Sequence, residues 1–202
     1  MARYKLFEDG KPHSCDVEFY KHIEVADHIN QVDGGHRFRL LKTREQLQQL
    51  IKPEDTVCDF GCGNGGLIRE IQKVLPNKVW GYDLMPNNVA DAHAKGNAEN
   101  ITCCDFVLDP DNTVEYPTIA ICTEVLEHLE NPDAFIKRLL DNGVRLLLAS
   151  SPFYETPTYH APGHLWVFTE DSYKDMFTDA GWEVTLHWKD FFQYIIATNP
   201  NL

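Results

Sequence analysis

Glu124, Glu127 and His128 stand within one short stretch of the chain. At i, i+3 and i+4 on a helical turn they project from one face. Two carboxylates and an imidazole so placed can bind a divalent cation such as Mg, Mn or Zn, and His164 is the histidine expected to complete the set. The spacing also allows a simpler arrangement, in which the two glutamates cap or orient and His128 acts alone.

The second constellation is Val57-Cys58-Asp59-Phe60-Gly61-Cys62-Gly63-Asn64-Gly65-Gly66. An apolar strand runs into an acid, then into a glycine-rich turn, then into a helix starting near Leu67. Such a turn lets backbone approach a ligand, and the helix N-terminus offers its free amides beside it. Gly61, Gly63 and Gly66 satisfy the dinucleotide pattern GxGxxG, but Asp59 would sit badly beside a pyrophosphate and well beside an ammonium. Asp83 ends the next strand, where a carboxylate can accept from both hydroxyls of a ribose. Asp105 and Phe106 follow on the third.

These residues need a sheet to hold them. Strand patterns fall at 56–60, 78–83, 101–108, 118–123 and 144–150, separated by helical patterns at 67–74, 87–95 and 132–140. Val-, Ile- and Leu-rich strands alternating with helices describe a parallel sheet with right-handed crossovers. A further helix spans 38–51, another spans 170–180 and ends at Gly181, and two last strands, 182–188 and 191–197, are joined by Lys189-Asp190. The expected fold is α/β: a Rossmann-like, doubly wound, mostly parallel seven-stranded sheet with a C-terminal antiparallel hairpin. Residues 1–36 read as an N-terminal arm or lid, carrying His13, His22, His28 and His36, and residues 37–202 as the domain.

VCDFGCGNGG closely resembles motif I of the class I S-adenosylmethionine-dependent methyltransferases. EVLEHLENP (residues 124–132) resembles the post-strand motif of one large group of them. That group includes ubiquinone-biosynthesis O-methyltransferases, natural-product enzymes and small-RNA 3′-terminal 2′-O-methyltransferases. HLWVFTE (164–170) resembles its HLxxFT segment, so the likeness covers most of residues 55–198. Where many relatives have a lysine-proline-glycine-glycine turn, this chain has Leu140-Asp141-Asn142-Gly143, which still makes a turn. The resemblance implies that Asp59, Gly61, Gly63 and Asn64 frame the methionine end of S-adenosylmethionine. It implies that Asp83 holds the ribose, that Asp105 takes the adenine amino group, and that Phe106 lies against the ring. Leu84 and Thr123 are added to the cofactor set. In the RNA 3′-terminal enzymes an ExxEH cluster with a downstream His holds a metal against two hydroxyls.

Methyl transfer from a sulfonium is an in-line displacement, and a hydroxyl acceptor must lose its proton as the bond forms. His128 is the first candidate base, with neighbouring carboxylates expected to raise its pKa. His160 and His164 come second, although two histidines in a Pro/Gly-rich loop can equally structure it. Tyr154, Tyr159, Phe153 and Trp166 are expected to wall an acceptor pocket or to pack in the core.

The net charge of −13 argues against duplex nucleic acid, which needs a basic stripe. The one concentration of basic residues, Arg37, Arg39, Lys42 and Arg44, reads as a solvated helix face. A small hydroxylated molecule or a sugar is the favoured acceptor, and an RNA terminus is the alternative. The N-terminus has no apolar leader pattern and no run is long enough to span a membrane, so the expected location is cytoplasmic. Cys15, Cys58, Cys62, Cys103, Cys104 and Cys122 form no CxxC pair and read as structural thiols, with Cys103 and Cys104 on alternate faces of one strand. From other classes, a nicotinamide-dependent oxidoreductase or a catalytically idle cofactor-binding subunit stays open.

Overall fold

The computed structural model describes residues 4–5, 25–30, 35–96, 99–109 and 113–202. Most of the expected N-terminal arm, with His13, Cys15 and His22, lies outside the described residues. In chain order the elements are β1 (Tyr4–Lys5), α1 (Gly35–Leu50), β2 (Val57–Phe60), α2 (Gly66–Gln72), β3 (Val79–Asp83), α3 (Pro86–Ala94), β4 (Ile101–Cys103) and β5 (Ile119–Thr123). A 3₁₀ turn (Leu126–His128) follows, then α4 (Pro132–Asp141), β6 (Leu146–Pro152), β7 (Trp166–Val167), α5 (Glu170–Asp179), β8 (Glu183–Lys189) and β9 (Phe192–Thr198). Seven strands form one sheet in the order β4-β3-β2-β5-β6-β9-β8. It is the expected α/β sheet with the antiparallel hairpin at its end.

The chain divides into two compact units, the first being Lys21–Ile121. There β2, β3 and β4 pair in parallel, with Val57 opposite Val79 and Gly81 opposite Ile101, and β2 pairs with β5 in parallel, Val57 opposite Ile119. Every residue of β2, β3 and β5 is buried, as strands covered on both faces must be. Gly81 is required by close approach: a Cβ there would lie 2.7 Å from Cβ and Sγ of Cys62 and from Cδ1 of Ile68. β3 can therefore pass under the glycine turn only without a side chain at that point.

The second unit comprises Cys122–Leu202 together with β1, which pairs with β7. β6, β9 and β8 are antiparallel neighbours, with Leu148 opposite Ile196 and Val184 opposite Ala197. α4 starts at Pro132, and the Asn131 side chain accepts from the Ala134 amide. It buries Phe135, Ile136, Leu139 and Leu140, one apolar stripe along the helix. In α5 the Thr169 side chain accepts from Ser172 N, and Gly181 follows the helix at φ 96°.

Three expectations need correction. The third strand stops at Cys103, because Asp105 Oδ1 accepts from the amides of Val107 (3.1 Å) and Leu108 (2.9 Å) and turns the chain there. Cys104 thus lies beyond the strand, while the thiols of Cys58, Cys62 and Cys122 are buried and that of Cys103 is exposed. The basic concentration on α1 is a solvated face only in part: Arg37 is exposed, but Arg39 is buried and Arg44 pairs with Glu70 at 3.4 Å. Lastly, Glu124 sits at φ 58°, outside any helical turn, so the one-face geometry assumed for Glu124, Glu127 and His128 does not form.

Candidate functional site

In the first unit, β2 delivers Asp59 into the interior and the chain then turns through Gly61 and Gly63, both at positive φ. Asp59 is only 3% exposed, and its Oδ1 has no hydrogen-bond partner among the described residues. Burial pushes the Asp59 carboxyl up to about 7; the Arg39 charge opposes this, and the Asp83 charge adds to it. At Gly63 a Cβ would meet nothing within 4 Å, so the turn borders open space.

Asp83, at the end of β3, is the organiser of that turn. Its Oδ2 accepts from Gly63 N at 2.7 Å, and its Oδ1 accepts from Met85 N at 2.9 Å and Asn88 Nδ2 at 3.0 Å. Burial raises its pKa, against those three hydrogen bonds. Asn64 is buried, and its Nδ2 donates to Asp91 Oδ2 at 2.9 Å, so its amide ties the turn to α3. Leu84 is half-buried; Thr123, in the second unit, is buried. Asp105 spends Oδ1 on its turn, and Phe106 is buried with its ring 5.5 Å from that of Phe60, edge to face.

These residues fit S-adenosylmethionine. A buried carboxylate oxygen without a partner suits an ammonium, the open space at Gly63 suits a close backbone approach, and Asp83 keeps lone-pair capacity on Oδ2 for a hydroxyl.

In the second unit, ligand atoms of Glu127, His128 and His164 all lie within 4.8 Å of one another, the geometry of a candidate cation site. Glu127 is completely buried. The turn that carries it is pinned to the following loop: Leu165 N donates to Glu127 O at 2.7 Å, and Trp166 Nε1 donates to Leu129 O at 2.7 Å. The His128 and His164 rings meet edge to face with centroids 4.6 Å apart. His128 Nδ1 bonds Gly163 O at 3.0 Å. Glu124 stands outside this group; its Oε1 accepts from Ser150 Oγ at 3.0 Å.

Burial, with the His164 ring second, lowers the His128 pKa to about 3, and the bond to Gly163 O offsets only part of that. The expected rise from neighbouring carboxylates is thus reversed: dehydration of the cationic form sets the direction. An imidazole so hard to protonate is a poor proton acceptor near neutral pH and a suitable metal ligand.

The sequence missed Glu155. It is buried, and its Oε2 lies 2.6 Å from His164 Nδ1 while its Oε1 accepts from Ala161 N at 2.9 Å. Its only trace in the sequence is an acid nine residues before His164 in an otherwise uncharged loop, and spacing alone does not single it out. His160 bonds the adjacent Ala161 O. Tyr154 and Tyr159 are exposed rather than core, with ring centroids 6.4 Å apart, and Phe153 and Trp166 are half-buried.

The fold and the glycine turn define the class I S-adenosylmethionine-dependent methyltransferase architecture. It is shared with magnesium protoporphyrin IX methyltransferase from Synechocystis PCC 6803 with bound S-adenosylhomocysteine, at a TM-score of 0.66 and 19% identity over 90% of this chain and 91% of that one. A SAM-dependent methyltransferase from Aquifex aeolicus matches at a TM-score of 0.61 and 21% identity, over 85% and 96%. The family model "Methyltransferase domain" matches residues 34–187, and the chain belongs to that family.

Among curated relatives, the ubiquinone biosynthesis O-methyltransferase of Rickettsia conorii is 31% identical over 118 residues, 55% of this chain and 40% of that protein. The small RNA 2′-O-methyltransferase of Arabidopsis thaliana is 31% identical over 118 residues, 51% of this chain and 12% of its own length. The chain thus spans well under half the length of these relatives. Membership in the family sets the nicotinamide oxidoreductase reading aside. No helix among the described residues is long and apolar enough to cross a membrane.

Proposed function

We propose that the chain transfers a methyl group from S-adenosylmethionine to the oxygen of a small hydroxylated molecule or sugar, with a divalent cation held by Glu127, His128 and His164. The observation that carries this is the cluster itself: three ligand atoms within 4.8 Å, one from a fully buried carboxylate. Asp59, Gly61, Gly63 and Asp83 would hold the donor, with Asp105, Phe106 and Leu84 completing the cofactor set. Asn64 would act through the turn it fastens.

A bound cation would lower the pKa of an acceptor hydroxyl, help that His128 is ill suited to give. His128 contributes a lone pair rather than a proton exchange, and Glu127 contributes negative charge. Glu124, bound to Ser150, would shape the strand exit that leads to the cluster. Oxygen is favoured as acceptor because two of the relatives are named as O-methyltransferases. An RNA terminus is less well supported. Of the four basic residues that could grip phosphates, Arg39 is buried and Arg44 is paired with Glu70.

The test is methyl transfer from S-adenosylmethionine labelled in its methyl group. Metal-stripped protein would be offered hydroxylated small molecules, sugars and short RNA, with and without Mg²⁺, Mn²⁺ or Zn²⁺. The expected result is cation-dependent O-methylation of a small acceptor, lost in Glu127→Gln. Transfer that ignores chelators would remove the cation from the mechanism. Transfer to RNA alone would replace the acceptor class. No transfer with intact S-adenosylhomocysteine binding would favour an idle cofactor-binding subunit.

A further inference from the structure

The two histidines of the cluster are each held through Nδ1. His128 Nδ1 faces the carbonyl oxygen of Gly163, which has lone pairs only, so the nitrogen must donate. His164 Nδ1 faces a carboxylate oxygen of Glu155 at 2.6 Å, and both side chains are nearly shut off from solvent, at 10% and 3% exposed. The other Glu155 oxygen takes the amide of Ala161. One buried carboxylate thus satisfies a backbone N–H and an imidazole N–H together, inside the loop that delivers His164 to the cluster.

We infer that Glu155 is a positioning residue that fixes His164 in the tautomer protonated on Nδ1, so that Nε2 keeps its lone pair for the group formed with Glu127 and His128. The usefulness of that lone pair rests on the cation reading above; the tautomer assignment does not. A carboxylate acts on a metal-ligating histidine in this manner by setting the ring's orientation and raising its basicity.

Replacing Glu155 by glutamine gives a sharp consequence. A glutamine has a single acceptor oxygen and two N–H donors, whereas the site presents two donors to it. The Ala161 amide can only donate, so it claims the oxygen. The imidazole can move its proton to Nε2 and accept from the glutamine NH₂ through Nδ1. Glu155→Gln therefore inverts the His164 tautomer and occupies the nitrogen that the cluster needs, while the side-chain shape is unchanged.

The experiment is long-range ¹H–¹⁵N correlation spectroscopy of histidine-labelled, metal-free protein at pH 8, with His164 assigned by substitution. It is paired with Zn²⁺ titration by calorimetry. In the wild type His164 is expected to show protonated Nδ1 and bare Nε2, and in Glu155→Gln the reverse. Zn²⁺ affinity should fall about 10- to 100-fold in the variant. A wild-type His164 protonated on Nε2 would overturn the assignment without any variant, and so would an unchanged tautomer in Glu155→Gln. If the tautomer inverts as expected but the wild type takes up no Zn²⁺, Glu155 keeps its role and the cation reading falls.

Discussion

The cost of burying Asp59 makes cofactor binding depend on pH in a calculable way. With its carboxyl pushed up to about 7, the free protein carries Asp59 roughly nine-tenths ionised at pH 8 and about one-tenth ionised at pH 6. A ligand that places its ammonium against this oxygen selects the ionised form. Affinity for S-adenosylhomocysteine is therefore expected to be about tenfold weaker at pH 6 than at pH 8, a change of about 1.4 kcal/mol. Calorimetry in buffers of different ionisation enthalpy measures the same linkage independently. It should show close to one proton released per ligand bound at pH 6 and almost none at pH 8. Asp59→Asn should bind more weakly throughout and lose the slope. Equal wild-type affinities at the two pH values would show that the Asp59 charge does not govern binding. So would an equal slope in the asparagine variant, since it would assign the titration to another group.

Further outcomes concern stability and the neighbouring residues. The folded-state pKa of Asp59 lies above its ordinary 3.8, so the stability this group lends is complete below pH 3.8 and lost as pH rises through 7. In urea unfolding, Asp59→Asn should gain on the wild type by up to about 4 kcal/mol between pH 4 and pH 8, and a constant difference would contradict this. Asp83→Ala removes the acceptor for the Gly63 and Met85 amides and should cost about 1–3 kcal/mol of stability, along with at least a tenfold loss of S-adenosylhomocysteine affinity. Affinity preserved in that variant would take Asp83 out of the cofactor site. Gly81→Ala forces a methyl to within 2.7 Å of Cys62 Cβ and should lower stability by about 1–3 kcal/mol in the same assay.

What the sequence made legible was local. Fully buried strands read as apolar runs, and Asp59 and Asp83 announced themselves as acids near the ends of two of them, before glycine or helix. What it concealed depends on partners distant in the chain. Arg39 looks like one more charge on a polar helix face, and only the folded chain shows it buried where its charge acts on Asp59, twenty residues on. The i, i+3, i+4 spacing presumed a helix through Glu124, but the backbone leaves β5 in a left-handed conformation, and the helical turn begins only at Leu126. Apolar content around Asp105 suggested a longer strand, yet a single side-chain oxygen capturing two amides ended it. The sense of the His128 shift could not be read either, because the carboxylates are visible in the sequence and the burial that sets the direction is not.

The cation proposed at Glu127, His128 and His164 of this methyltransferase-family chain is open to direct measurement. Titrating metal-stripped protein with Mn²⁺ in the presence of S-adenosylhomocysteine, and following free Mn²⁺ by electron paramagnetic resonance, tests it most directly. One site per chain is expected in the wild type, abolished in Glu127→Gln while S-adenosylhomocysteine affinity is unchanged. Absence of bound Mn²⁺ in the wild type, or uptake that survives the substitution, would contradict it.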